Sequence, residues 1–383
     1  MFATNQIESS FEFASPVLTA YVRTSPSDAS SHRLTREYMT SLRMTGRSIS
    51  GSLRPPERET FLKQLDRVEE FLQQRKPHER GLVIFAGPGI WKTVSLQQEV
   101  EDELHWGKPA LAQLFWLAVE HKPYGIVVVD HAGARFFRYW LGEIAEYKEK
   151  RFAIDISQWK RKDLGHVSGQ GVEKTWGSKR DLFEKRIEGQ YAHLCHETAD
   201  HAAKLYVSKE VSAVFLVGPD RLIKPIEAKF PSSFHKPIVL FEQDLARVST
   251  SELLRHLEPQ IAAWQRKHQA EVAAGVTGDQ RGTVAGFDET LNDLQKGKLR
   301  ALVLNQGLDA TLRQCVHCGW TDRSADPICT VCGSERRSVT FRDALPELAR
   351  RHPCEIEVVS GDVAEDLNKS GGMAGVALQP RQM

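Results

Sequence analysis

Cys315-Val316-His317-Cys318-Gly319 and Cys329-Thr330-Val331-Cys332-Gly333 are two CxxC turns, each closed by a glycine. Glycine at that place lets the backbone fold over, so each turn can aim two thiolates at one point. Four thiolates fill a tetrahedral sphere and leave no position open for a substrate. The spacing therefore predicts a structural zinc ion on Cys315, Cys318, Cys329 and Cys332, in a ribbon at 315–332. His317 sits inside the first turn and reads as a neighbour of the site rather than a ligand. Cys195 and Cys354 lie far apart in sequence, which suits a reducing compartment with one metal site better than a disulfide framework.

A second stretch with chemical potential is "GHVSGQGVEK" at 165–174, flanked by "WKRK" and "KTWGSKR". Glycines allow close approach of backbone to a ligand, and the lysines and arginines around Gln170 suit a polyanion. The loop is expected over 157–178. Other motifs fall away. "LVIFAGPGIWKT" has a strand, glycines and Lys92-Thr93, but Trp91 occupies the place where a phosphate loop needs glycine, so a strand-turn-strand is the better reading. The histidines form no zinc-protease or triad spacing, no GxSxG elbow occurs, and Cys195 lies on an apolar helical face where packing accounts for it.

The elements that must carry these stretches follow from periodicity. At 383 residues, with 41% hydrophobic and 26% charged, the chain suits two or three globular domains. Lysine plus arginine (51) nearly cancels aspartate plus glutamate (50), so any nucleic-acid surface is local. The start carries no signal-peptide pattern and no apolar run reaches about 18 residues, which places the chain in the cytoplasm without a membrane partner. Residues 1–55 are polar, with one strand candidate in "VLTAYVRT" and an expectation of partial disorder. "PPERETFLKQLDRVEEFLQQR" reads as an amphipathic helix and "GLVIFAG" as a buried strand. "YGIVVVDHAGARFFRYW" reads as a hairpin turning at 131–133. A helix of about 28 residues is expected from 179, with Phe183, Ile187, Tyr191, Leu194, Thr198, Ala202 and Leu205 on its apolar face. "VSAVFLVG", "DRLIKPIEAKF" and "KPIVLFEQ" give strand, helix, strand. Helices at "TSELLRHLEPQIAAWQRKHQAEVAAG" and "TVAGFDETLNDLQKGK", the strand "LRALVLNQ", the ribbon, the helix "DALPELARRH" and the strand "EIEVVSG" follow. The fold class is mixed α/β in three domains: 1–121, 122–246 and 247–383, the last with the ribbon inserted at its edge.

The order of a strand-rich start, a basic loop bearing Ser168-Gly169-Gln170, a long helix with basic first turns and then "ETADHAAKLYVSKEVSAVFLVGPDRLI" resembles the middle domain of archaeal and eukaryotic class-I peptide-release factors. The third domain, with "GGMAGVAL" near its end, is similar to the family's last, ribosomal-protein-like domain, in which some members carry a zinc ribbon. The resemblance spans about residues 60–380. It implies a tRNA-mimicking ribosome A-site factor whose loop approaches the peptidyl-transferase centre and, in catalytic members, promotes peptidyl-tRNA hydrolysis through a Gly-Gly-Gln loop. Gly169 and Gln170 would then be the catalytic residues. Lys160, Arg161, Lys162, His166, Ser168, Lys174, Lys179 and Arg180 would contact RNA. Two departures weigh against catalysis and codon reading. Ser168 replaces the first glycine, and no Asn-Ile-Lys-Ser motif and no cysteine occur in residues 1–194. The pattern therefore resembles the bacterial branch of the family, that of Balon-like ribosome hibernation factors. The expectation is a monomeric, non-enzymatic protector of idle ribosomes, with a translational GTPase as a candidate delivery partner. The alternatives are peptidyl-tRNA hydrolysis in termination or rescue, and a zinc-ribbon RNA-binding protein with no ribosomal role.

Overall fold

The computed structural model describes residues 16–24, 30–75, 79–151, 173–208, 210–277 and 282–378, with backbone alone at 30–37, 150–151, 173–187 and 277. The chain forms two compact units, one of Met1–His121 with Pro259–Met383 and one of Lys122–Glu258.

In the first unit, β1 (Val17–Arg23) lies between β2 (Gly81–Gly87) and β4 (Glu103–Gly107), with β3 (Ile90–Leu96) at the edge beside β2. All pairs are antiparallel. The run "VLTAYVRT" is thus a central, buried strand. Helices α1 (Ser30–Ser52) and α2 (Pro55–Gln74) cover the sheet, packing Tyr38, Met39, Leu42, Phe61, Leu65, Val68 and Leu72 against Leu18, Ala20, Val22, Leu82, Ile84 and Ala86. Pro55 and Pro56 start α2, where a missing N–H costs nothing. β2 and β3 form a plain hairpin, as the strand-turn-strand reading expected. Trp91 packs edge-on to Phe71 under the Arg67 guanidinium.

The same unit holds a second sheet in the order β10 (Thr283–Ala285), β16 (Met373–Ala377), β11 (Leu299–Asn305), β15 (Glu355–Val359). β11 and β15 are parallel; the other pairs are antiparallel. Its core joins α7 (Phe287–Gln295) and α8 (Phe341–Arg351) through Phe287, Leu291, Leu294, Phe341, Leu345 and Leu348. The expected helix over "TVAGFDETLNDLQKGK" is shorter than read. Thr283 and Val284 are β-branched and pair with β16, and the helix starts only after Gly286. An unexpected helix, α3 (Ala112–Glu120), puts Phe115, Trp116 and Val119 into this core. The Trp116 indole N–H donates to the Arg342 carbonyl at 2.9 Å. The Arg342 guanidinium lies 4.3 Å from the indole centroid and pairs with Glu120 at 3.3 Å.

In the second unit the order is β7 (Glu143–Arg151), β6 (Gly133–Trp140), β5 (Tyr124–Val129), β8 (Ala213–Gly218), β9 (Ile238–Glu242). β5, β8 and β9 run parallel, while β5, β6 and β7 form an antiparallel meander. Helix α4 (Glu173–Ser208) and helix α5 (Asp220–Glu227) cover one face. α4 starts six residues earlier than expected, so positions 173–178 of the expected loop are helical, in line with the absence of proline from 172 to 218. Its apolar face centres on Leu194, Cys195, Thr198, Ala199, Ala202 and Tyr206, and Leu205 is only half-buried.

Tyr206 explains why that face turns. Its hydroxyl lies 2.7 Å from the Ile126 carbonyl oxygen and 2.9 Å from that of Phe137, joining α4 to β5 and β6. Its ring lies on Gly125, where a Cβ would come within 2.8 Å of three ring atoms. Gly125→Ala is expected to destabilise the unit by about 1–3 kcal/mol through overpacking, and Tyr206→Phe by about 1–2 kcal/mol through the lost hydrogen bond. Denaturant unfolding checks both values, and a Gly125→Ala variant as stable as wild type would sink the ring-on-glycine account.

The unit boundary falls within helix α6 (Thr250–Thr277), where Leu253 and Leu257 are buried before Pro259 and Ala273 and Val276 after it. Among the described residues no helix is long and apolar enough to cross a membrane.

Candidate metal centre

The ribbon is a three-stranded sheet, β13 (Thr321–Asp322), β12 (Thr311–Cys315), β14 (Arg336–Thr340), inserted between β11 and α8. One of its faces is fastened to the α/β core. Leu312 is buried in the core cluster, and Val339, opposite it on β14, packs against the same cluster. The Gln295 side-chain amide pairs with Thr321 as a strand would, donating to the Thr321 carbonyl and accepting from its N–H, both at 2.7 Å. Thr340 caps α8, its hydroxyl accepting from the Asp343 N–H at 3.1 Å and donating to the Asp343 carboxylate at 2.8 Å.

The two CxxC turns have the same local design. Cys315 N–H donates to the Trp320 carbonyl at 2.9 Å, and Cys329 N–H to the Ser334 carbonyl at 2.8 Å. Gly319 N–H returns to the Cys315 carbonyl at 3.1 Å and Gly333 N–H to the Cys329 carbonyl at 2.9 Å. Gly319 and Gly333 have φ of +74° and +75°, the left-handed geometry that the turn demands and that a Cβ disfavours by about 1–2 kcal/mol. Gly319 also leaves room for Arg351 from the last turn of α8, whose guanidinium donates to the Cys318 carbonyl at 3.1 Å.

These turns bring the four sulfurs together. Cys315 and Cys332 Sγ are 3.4 Å apart, Cys318 and Cys329 Sγ are 3.6 Å apart, and all four lie within 4.8 Å of one another. Four sulfurs on one tetrahedral ion with bonds of about 2.3 Å would lie about 3.8 Å apart, so the set fits a single thiolate-bound ion. Desolvation pushes the Cys315 thiol up. The N–H groups of Cys318 and His317, each 3.4 Å from its sulfur, together with the neighbouring thiols, outweigh that and bring it down to about 6. Ser334 lowers the thiol of Cys332, while desolvation pushes that of Cys318 up to about 12. A shared proton load of this kind is what crowding thiols around a point produces, and metal binding displaces it. His317 is exposed and lies outside the cluster of ligand atoms. Cys195 is buried in the core under α4, and burial pushes its thiol up, in keeping with a packing role.

The basic loop falls largely outside the described residues: Lys160, Arg161, Lys162, His166, Ser168, Gly169 and Gln170 all lie there. Lys174, Lys179 and Arg180 fall on the first turns of α4, where the backbone alone is described. One polar cluster escaped the sequence reading, since its members are far apart in the chain. At the carboxyl ends of β5 and β8, His131 Nδ1 is 3.0 Å from the Tyr191 hydroxyl and its Nε2 meets the Arg221 guanidinium.

Residues 109–262 match the model of bacterial archaeo-eukaryotic release factor family 10. Over this stretch the chain is similar to the bacterial archaeo-eukaryotic release factor family. The release-factor segment begins just ahead of α3, takes in the five-stranded sheet and the Ser168-Gly169-Gln170 positions, and ends within α6. No curated protein matches the chain. Among solved structures it is similar to an archaeal translation termination factor aRF1, at 15% identity with 98% of this chain and 97% of that one covered and a TM-score of 0.24. A ribosome-bound archaeal Pelota gives 12% identity, 99% and 94% coverage and a TM-score of 0.42. Saccharomyces cerevisiae Dom34, a translation termination-like factor, gives 11%, 76% and 74% coverage, and 0.37.

Proposed function

We propose that this protein is a ribosome-binding factor of release-factor type that acts by occupying the A site of idle ribosomes rather than by chemistry. The observation that carries the reading is the family match across residues 109–262, a segment that contains a glycine loop with serine at the place of its first glycine. Three functional parts follow in this reading: an N-terminal domain to residue 121, a release-factor-like domain at 122–246 that presents the 157–178 loop, and a C-terminal domain from 247 stabilised by one structural zinc ion. Lys160, Arg161, Lys162, His166, Ser168, Lys174, Lys179 and Arg180 contact ribosomal RNA, and the protein works in the cytoplasm as a monomer, with a translational GTPase as delivery partner. The test is sedimentation after growth arrest: the protein is expected with vacant 70S particles. Migration with translating ribosomes would favour the second reading, hydrolysis at Gly169-Gln170, which rests on the retained glutamine. Absence from all ribosomal fractions would leave an RNA-binding protein of another kind.

Affinity should rest on charge. Changing Lys160, Arg161 and Lys162 to alanine is expected to weaken ribosome binding and lower the slope of log affinity against log salt by about 2–3, because each lost phosphate contact releases about one counterion fewer. Binding measured between low and moderate salt checks this, and an unaltered slope would place these side chains away from RNA.

A further inference from the structure

Arg336 has the least solvent access of the charged side chains in the ribbon's ion pairs, at 0% exposure. It occupies the β14 position directly opposite Cys315, and residues so paired share one face of the sheet. Its Nη2 donates to the Arg313 carbonyl at 2.8 Å and meets the Asp322 carboxylate, while Nη1 lies 3.5 Å from the Asp326 carbonyl. Its backbone N–H donates to the Pro327 carbonyl at 2.9 Å. The residue therefore holds both ends of the 322–327 segment that joins the two CxxC turns. Asp322 is engaged further, accepting from the Trp320 indole N–H at 3.1 Å and the Ser324 N–H at 2.8 Å.

Its remaining donor, Nε, is buried without a hydrogen-bond partner. A buried donor on a cation is costly to leave unmatched, so the site favours additional negative charge nearby. Four thiolates around a divalent ion carry a net charge of −2, and one of the four, Cys315, stands directly opposite Arg336. Arg351, on α8, touches the Cys318 carbonyl but is 38% exposed, so water and salt screen its charge far more than that of Arg336.

We infer that Arg336 is the positioning residue of the metal centre: it closes the segment between the two cysteine turns and supplies the buried positive charge that the thiolate cluster requires when it binds its ion. The inference rests on the reading of Cys315, Cys318, Cys329 and Cys332 as metal ligands.

The experiment uses the full chain, stripped of metal and titrated with cobalt(II), with absorption reporting thiolate coordination and zinc competition giving the affinity. Wild type takes up one cobalt ion with a four-thiolate spectrum. Arg336→Met keeps that spectrum but binds about tenfold to a hundredfold more weakly, the usual effect of losing an outer partner of a metal site. Arg336→Lys, which restores the charge but cannot span the Arg313 carbonyl, Asp322 and the Asp326 carbonyl as a planar fork, recovers part of the loss. Equal affinity of Arg336→Met and wild type overturns the proposal, as does a lysine variant no better than methionine. Should Arg336→Met fail to fold, Arg336→Lys decides alone: a loss of about threefold or more supports the proposal and wild-type affinity overturns it. Wild-type protein that takes up no cobalt removes the metal reading itself, an outcome distinct from the others.

Discussion

Purified protein is expected to release no peptide from ribosomes carrying peptidyl-tRNA, and Gln170→Ala to leave that result as it is while reducing binding only modestly. In the family this loop resembles, catalysis depends on a backbone amide at the glutamine, held by preceding glycines in a conformation that other residues avoid. Ser168 puts a Cβ at the first of those positions. Left-handed geometry there costs about 1–2 kcal/mol, which is a factor of about ten in any rate that requires it. The decisive variant is Ser168→Gly. In a loop that only binds RNA, glycine adds nothing and releases no peptide. In a loop that still catalyses, Ser168→Gly speeds release by about tenfold, and Gly169→Ala and Gln170→Ala slow it. Release by the wild type at rates near those of a genuine release factor would replace the binding reading with hydrolysis.

What could be read before the structure was local. The CxxC turns announced themselves because all of their logic lies within five residues: two sulfurs, a turn and a glycine. The hairpin at 124–140 was legible from a β-branched run, a short polar turn and an aromatic run. α2 was legible from two prolines and a regular apolar spacing. α1 was not, since its buried positions Tyr38, Met39 and Leu42 sit in a serine- and threonine-rich stretch that reads as loop. α3 gave no periodic signal because "LFWLAV" is apolar all round; such a run specifies burial but not the partner that supplies it.

Polar residues that fasten one element to another were the least legible. Gln295 meets Thr321 across 26 residues and Tyr206 meets Ile126 across 80, and nothing in either neighbourhood marks them. Nothing in the sequence sets Arg336 apart from its neighbour Arg337. Its importance comes from complete burial and from standing opposite a cysteine, both of which are properties of the folded chain. The expected face of α4 holds at Leu194, Thr198 and Ala202, and Leu205 packs at its margin; what periodicity missed is Tyr206, whose hydroxyl reaches carbonyls of two strands.

The double variant Cys315→Ser/Cys332→Ser is expected to lose one zinc ion per chain and to loosen the ribbon while the Lys122–Glu258 unit stays folded. Each substitution removes one ligand from a different turn, so neither turn can hold the ion alone. Structural zinc contributes folding energy directly, about 10–16 kcal/mol in isolated finger peptides. Here part of the ribbon's order comes from elsewhere: Gln295 on Thr321, Arg351 on the Cys318 carbonyl, and Leu312 in the core. The loss should therefore be graded. Backbone amides of the two turns are expected to exchange at least about tenfold faster, those of β12 and β14 less so, and those of β5 and β8 at the wild-type rate, since that sheet has its own core. Metal analysis with hydrogen exchange on both proteins checks each step. Wild type without zinc would sink the metal reading, and faster exchange in β5 and β8 would show that the two units do not fold independently.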